Sequence, residues 1–264
     1  MRPVTKLAGM LATVVTCALV GIDAHPVQVE VDLATGIPQT QTIGLPDSSV
    51  RESKDRVRAA LRNAGFEIPP RRITVNLAPA HVRKQGAAYD LPIALAVLAA
   101  SGHPVKDHLG GIAVAGELAL DGSVRPIRGA LAITAAALAA GCTRIVVPRA
   151  NAAEAALVAD VAVIPASHLS EVVAVLTGVQ AAEPQPQAAY VFATASAHDV
   201  DFAEVRGQEY AQRAVEVAAA GGHNLILIGP PGAGKTMLAR RIPTLLPPLD
   251  FAEALAVTRI HSAA

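Results

Sequence analysis

The chain has 264 residues, with 22 basic and 22 acidic side chains, 52% hydrophobic residues, 3% aromatic residues and no tryptophan. That hydrophobic content excludes a disordered chain and suffices for one or two α/β domains with proper cores. A formal charge of zero gives no whole-chain argument for a nucleic-acid partner.

In chain order, Arg2 and Lys6 precede a mostly apolar run from Leu7 to Ile22. Two readings fit it: a secretory signal, or a buried strand built on Val14, Val15, Val20 and Ile22. It is short and interrupted for a membrane span, so no membrane is expected. Residues 26–33 alternate, with Val27, Val29, Val31 and Leu33 on one face, which predicts a half-buried strand. Ser49-Val50-Arg51-Glu52 reads as a capping box opening a helix, with Val50, Val57, Leu61 and Ala64 inward and Gly65 closing it. Capping also explains Ser48 and Ser49 better than a Ser/Lys nucleophile pair with Lys54. Ile73, Val75 and Leu77 predict a strand, and Asp90 with Pro92 begins an apolar helix running to Ala100. Residues 112–120 read as paired strands with a turn at Asp121-Gly122. A helix at 129–140, a strand at 144–147, a helix capped by Asn151 and Glu154, a strand at 161–164 and a helix at 169–176 follow.

Pro184 and Pro186 among alanines and glutamines mark residues 179–198 as a linker. Beyond it Val205-Arg206-Gly207-Gln208 leads into a helix at 209–220, stopped by Gly221-Gly222.

The sharpest motif comes next. Leu225, Ile226, Leu227 and Ile228 form a continuous apolar run, as expected of a buried parallel strand. Gly229, Pro230, Pro231, Gly232, Ala233, Gly234, Lys235 and Thr236 then fit G-x-x-x-x-G-K-[ST] at every fixed position. Glycines let the backbone curl so that N–H groups converge on phosphates, and Lys235 would reach the β- and γ-phosphates. Thr236 would give a hydroxyl ligand to Mg²⁺, and Met237 continues into a helix. Residues 229–237 are therefore the expected nucleotide-binding residues, with ATP and Mg²⁺ as cofactors.

Other candidate chemistry is weaker. Between Asp47 and Lys84 nine basic residues face four acidic ones. They are Arg51, Lys54, Arg56, Arg58, Arg62, Arg71, Arg72, Arg83 and Lys84, and either a DNA face or an ordinary solvated helix face fits them. The eight histidines show no ligand spacing, so no structural metal is expected. Cys17 and Cys142 lie in apolar runs without C-x-x-C spacing, as buried thiols of a reducing compartment do.

Several segments carry a resemblance. Gly44-Leu45-Pro46-Asp47, Val50–Ser53, Arg71–Pro79, Tyr89–Ala94, Gly221–Asn224 leading into the phosphate loop, Leu245–Leu249 and Ile260–Ser262 resemble the YifB/ComM family of Mg-chelatase-like AAA+ ATPases. The likeness runs from about Met10 to the end, makes residues 13–22 a strand and leaves residues 1–9 as an extension. It implies a non-catalytic Lon-protease-like domain of ribosomal-protein-S5 type at 10–178, of α+β class. An incomplete P-loop AAA+ α/β domain would follow at 199–264. Ala88 falls where such proteases place the serine and Leu131 where they place the lysine, so covalent catalysis has no actor. Val205–Gln208 would line an adenine pocket. The resemblance also implies a cytoplasmic hexamer acting on DNA, in branch migration and recombination during natural transformation (competence). Only 28 residues follow Thr236, without Walker B carboxylates, sensors or arginine finger. The expectation is thus a truncated chain that binds ATP and does not hydrolyse it alone, with no catalytic residues of its own. A non-catalytic oligomerisation or interaction module, or a magnesium-chelatase-type subunit, is the alternative.

Overall fold

The computed structural model describes residues 11–187 and 200–263. The expected extension at 1–9, and the linker from 188 to 198, lie outside the described residues. Two compact units divide the chain, residues 1–189 with 255–264 and residues 190–254.

The first unit is built on a seven-stranded sheet. Strands β1 (Leu11–Val20) and β2 (Asp23–Ala34) form a hairpin through Gly21, whose φ of 64° suits a two-residue turn. Strand β3 (Gln39–Ile43) precedes helix α1 (Ser48–Asn63), and β4 (Arg72–Ala78) precedes helix α2 (Asp90–Ala100). Then come β5 (Ile112–Val114), a small separate hairpin of β6 (Glu117–Leu118) with β7 (Val124–Arg125), and α3 (Ala130–Ala139). The unit continues with β8 (Arg144–Pro148), α4 (Ala152–Ala155), β9 (Ala162–Ala166) and α5 (Leu169–Leu176). The sheet order is β3-β4-β2-β1-β5-β8-β9, antiparallel at the two pairings of β2 and parallel at the rest. This is the expected mixed α/β architecture.

Both faces of the sheet are covered at β5 and β8, which are buried and apolar nearly throughout, whereas β2 and β4 alternate inward apolar with outward polar residues. Val14, Val29, Val75, Ile112, Val114 and Val146 point to a core shared with α1, α2 and α5. Cys17, Ala113, Ile145, Val147 and Val163 point to a second core, shared with α3 and α4. Every residue of α2 is buried.

Local chemistry corrects several expectations. The cap of α1 is Asp47, whose Oδ1 accepts the Val50 amide at 2.8 Å, so the capping box at Ser49 does not form. Ser48 and Ser49 are the first helical residues, and the carboxylate two positions earlier is the better acceptor. Asn151 does not cap α4. Its Oδ1 accepts the Ile127 amide at 3.0 Å and its Nδ2 donates to the Ile127 carbonyl at 2.9 Å. Glu154 likewise accepts the Leu131 amide at 2.9 Å, serving the start of α3 instead of its own helix. The pairing expected within 112–120 does not occur, because β5 joins the large sheet and β6 pairs β7 around Asp121-Gly122. Linker residue Gln185 donates its amide to the Val163 carbonyl at 2.8 Å, lying on the outer edge of β9.

A charged pair ties the first core together. Asp90, fully buried in the first turn of α2, accepts from Arg56 Nε at 2.7 Å and Nη2 at 3.0 Å, and from the Leu118 amide at 3.3 Å. Burial pushes the Asp90 carboxyl up to about 6, against the opposing pull of Arg56. The carboxylate in turn raises the Arg56 guanidinium.

The second unit holds helix α6 (Glu209–Gly221), helix α7 (Lys235–Arg241) and the start of helix α8 (Phe251–Ala263). Its small core gathers Phe202, Val205, Val215 and Leu238, with Leu227, Met237 and Ile242 against them. The strand expected at 225–228 is absent. Leu227 packs inward while Ile226 and Ile228 are 79% and 86% exposed, and no strand is described in this unit to pair with the segment. A strand exists only by its ladder, so the apolar run alone cannot make one.

From Leu255 onward α8 belongs to the first unit. There the Gly129 amide donates to the Ser262 carbonyl at 2.7 Å, the Ser262 hydroxyl meets Glu154, and Arg259 pairs with Asp23.

Candidate nucleotide-binding site

The phosphate-loop residues come together in one turn of the second unit. Gly232 and Gly234 have φ of 81° and 76°, left-handed values that the motif's glycines supply without the clash a Cβ brings. The Ala233 amide donates to the Pro230 carbonyl at 3.3 Å and closes the turn. Gly234 is the cap of α7, its carbonyl accepting the Leu238 amide at 2.9 Å. Leu238, at 2% exposure, anchors the helix in the small core. Among the described residues, the amides of Gly232, Gly234, Lys235 and Thr236 have no hydrogen-bond partner. They are the free donors of a loop running into a helix start.

Lys235 folds back over the loop, its Nζ donating to the Gly229 and Pro230 carbonyls at 2.7 Å each. The ammonium therefore sits at the Gly229–Pro230 end of the loop. Thr236 is exposed next to it at the start of α7, and Met237 packs toward the core. Free amides, an unpaired-with-acid ammonium and an exposed hydroxyl form a donor set that fits a polyphosphate with its Mg²⁺.

Val205–Gln208 lies against the same loop. Gln208, itself at φ 59°, donates from Nε2 to the Ala233 carbonyl at 3.3 Å. Gln212 Nε2 donates to the Gly207 carbonyl at 2.6 Å and holds the segment in place. A Cβ on Gly234 would meet the Gln208 amide nitrogen at 3.2 Å, so the glycine makes room for this contact as well as for the turn. The roles of Gln208 and Gln212 carry no motif and are visible only in the fold.

The other sequence candidates lie in the first unit. Ala88 precedes α2, its carbonyl accepting the Gly116 amide at 2.9 Å, and Leu131 is a buried residue of the first turn of α3. Neither offers a nucleophile or a base. The nine cations do not make one face. Arg56 turns inward to Asp90, and Lys84 is fully buried with its Nζ donating to the Pro79 carbonyl, where burial pushes its amine down. Arg51, Lys54, Arg58 and Arg62 remain as an exposed stripe on α1. His103 stacks edge-on against Phe66 with ring centroids 5.7 Å apart, and His168 caps α5 through the Ser170 amide. Cys17 and Cys142 are buried free thiols, Cys17 pushed up to about 12 by burial. No group of three or more His, Cys, Asp or Glu side chains is placed to hold a metal among the described residues, and no described helix is long and apolar enough to cross a membrane.

Known proteins resemble this chain in sequence. Residues 29–151 match the family described as subunit ChlI of Mg-chelatase, and residues 201–264 the one described as magnesium chelatase, subunit ChlI. The chain is 45% identical over 252 residues to the uncharacterized protein YifB of Salmonella typhimurium, covering 96% of this chain and 49% of the relative. It is 44% identical over 252 residues to YifB of Escherichia coli, again covering 96% and 49%. With the competence protein ComM of Haemophilus influenzae it shares 42% identity over 258 residues, covering 96% and 50%. The chain thus spans about half the length of the curated relatives it matches. With both units matched in the same order along nearly all of its length, the chain belongs to the YifB/ComM family of Mg-chelatase-like proteins.

Proposed function

We propose that this chain binds ATP with Mg²⁺ through Gly229–Met237, as the nucleotide-binding part of a cytoplasmic AAA+ ATPase that acts on DNA as a hexamer. The observation that carries the reading is the loop itself. Two left-handed glycines, unpartnered amides and the Lys235 ammonium lie within one short loop. In binding, Lys235 would exchange its two carbonyl bonds for phosphate oxygens, and the loop amides would take the remaining oxygens. Thr236 would hold the Mg²⁺, which would supply positive charge against the phosphates. Gln208 and Gln212 fix Val205–Gly207 beside the loop, where an adenine ring would rest.

The first unit is read as a Lon-protease-like domain that has lost catalysis, since Ala88 and Leu131 replace the dyad. The DNA role draws on the name of the competence protein and on the family resemblance. Phosphoryl transfer needs a metal-positioning carboxylate, an oriented water and charge stabilisation beyond the loop. The 264 residues accordingly bind nucleotide without hydrolysing it.

Calorimetric titration of ATP–Mg²⁺ into the chain and its Lys235→Ala variant tests the site. Affinity should fall at least about tenfold, the loss of one charge-assisted contact. Equal affinity in the two proteins refutes the assignment, and phosphate release by this chain refutes the absence of hydrolysis. The exposed Ile226 and Ile228 favour a second reading, an interaction module that adds a strand to a partner. Self-association on gel filtration that Ile228→Lys abolishes, with no nucleotide binding, would select it.

A further inference from the structure

We propose that the cavity between α1, α2 and the β3–β4 margin of the sheet binds a small amphipathic anion, a medium-chain carboxylate by chemistry. The cavity has a volume of about 220 Å³. The hollow is partly open to solvent, with buried aliphatic side chains on its inner wall and exposed residues at its outer edge. It falls below the roughly 300 Å³ at which sites for drug-sized ligands begin, which limits the occupant to a short chain.

The lining divides by chemistry. Val57, Leu61, Ile73, Val75, Ile93 and Val97 form an aliphatic floor. At the mouth stand Lys54 and Arg58, four residues apart on α1 and therefore side by side on one stripe. Both are exposed, and neither has an ion pair or hydrogen bond among the described residues. No aspartate or glutamate lines the cavity. Elsewhere on α1, Arg56 is matched to Asp90 and Glu52, and Arg71, which also lines the cavity, has a partner of its own, so the unmatched charge is that of Lys54 and Arg58. Short side chains, Ser53 of α1 and Thr40 and Thr42 of β3, are among its lining. An aliphatic tail gains by leaving water for the floor, and a carboxylate supplies the charge the mouth lacks. A neutral ligand would satisfy the floor only.

This site uses none of the phosphate-loop residues and stands independently of the nucleotide reading. The test is calorimetry on the full chain with two probes of equal length, sodium octanoate and 1-octanol. Octanoate should bind one-to-one, at least about tenfold tighter than octanol, the discrimination of a charge-assisted contact. Lys54→Ala with Arg58→Ala should bring octanoate down to the level of octanol. Thr42→Trp, which fills the mouth from β3, should weaken both probes about tenfold or more. Thr40→Trp gives the same test if the first variant does not fold, with thermal unfolding as the check on each. Equal affinity for the two probes, octanoate binding untouched by the tryptophan, or no saturable binding of either overturns the proposal. So does a site that takes up an apolar peptide side chain and excludes octanoate.

Discussion

Replacing Asp90 by asparagine separates the two forces on that buried carboxyl. In the folded chain burial raises it from 3.8 to about 6, while Arg56 and the Leu118 amide pull the other way. Its folded value lies above its unfolded value, so between pH 4 and 6 the folded chain holds a proton that the unfolded chain has released. Stability must then fall as pH rises through that window, at about 1.4 kcal/mol per pH unit, and level off above it. Over about two units the loss amounts to about 3 kcal/mol. Asparagine keeps an acceptor for Leu118 and adds a pH-independent offset against the Arg56 donors, with no proton to exchange. Urea unfolding followed by circular dichroism at pH 4, 5, 6, 7 and 8 gives the wild-type-minus-variant difference, in which all other titrating groups cancel. That difference should drop by about 3 kcal/mol between pH 4 and 7. A flat difference refutes the reasoning. A difference that grows with pH would show that the guanidinium holds Asp90 below its ordinary value.

Gly44→Ala should destabilise the first unit by about 3 kcal/mol or more, since φ is 101° and the new Cβ would lie 2.2 Å from the Leu77 carbonyl oxygen. Chemical denaturation of the variant measures it, and a loss under about 1 kcal/mol would mean that β4 shifts freely. Asn151→Asp should cost about 1–2 kcal/mol, because aspartate cannot donate to the Ile127 carbonyl. As a helix cap aspartate would serve equally well, so an unchanged midpoint would restore the capping role. Cys17 should resist thiol reagents at pH 8 until the chain unfolds, its thiol being buried and pushed up to about 12. Labelling of the native chain at the unfolded rate would contradict that burial.

What could be read from sequence divides by whether the cause is local. The alternation of Val27–Leu33 and Ile73–Leu77 is a property of the strand itself, and these residues line the core. Phosphate-loop geometry is local too, because the glycines that permit left-handed backbone are the motif. Asn151 and Glu154 carry a cap-like spacing, yet spend their hydrogen bonds on Ile127 and Leu131, more than twenty residues away in sequence. Nothing in the pattern separates the two uses. Strand β3, Gln39–Ile43, is almost wholly polar and is defined by its pairing with β4. Lys84 reads as one of nine surface cations, and only the fold shows its amine buried against Pro79. The apolar run at 225–228 has the composition of a strand without its neighbour.

That run also bears on the life of the chain as it is made. Unpaired backbone flanked by exposed isoleucines is the kind of segment that joins like segments on other chains when concentrations rise. Pro230 and Pro231, which follow at once, cannot donate to a growing ladder and limit the stretch that can pair to a few residues. The Gly229–Thr236 loop thus places a brake directly beside the exposed Ile226 and Ile228. The same prolines that close the turn limit how much backbone is open to such pairing.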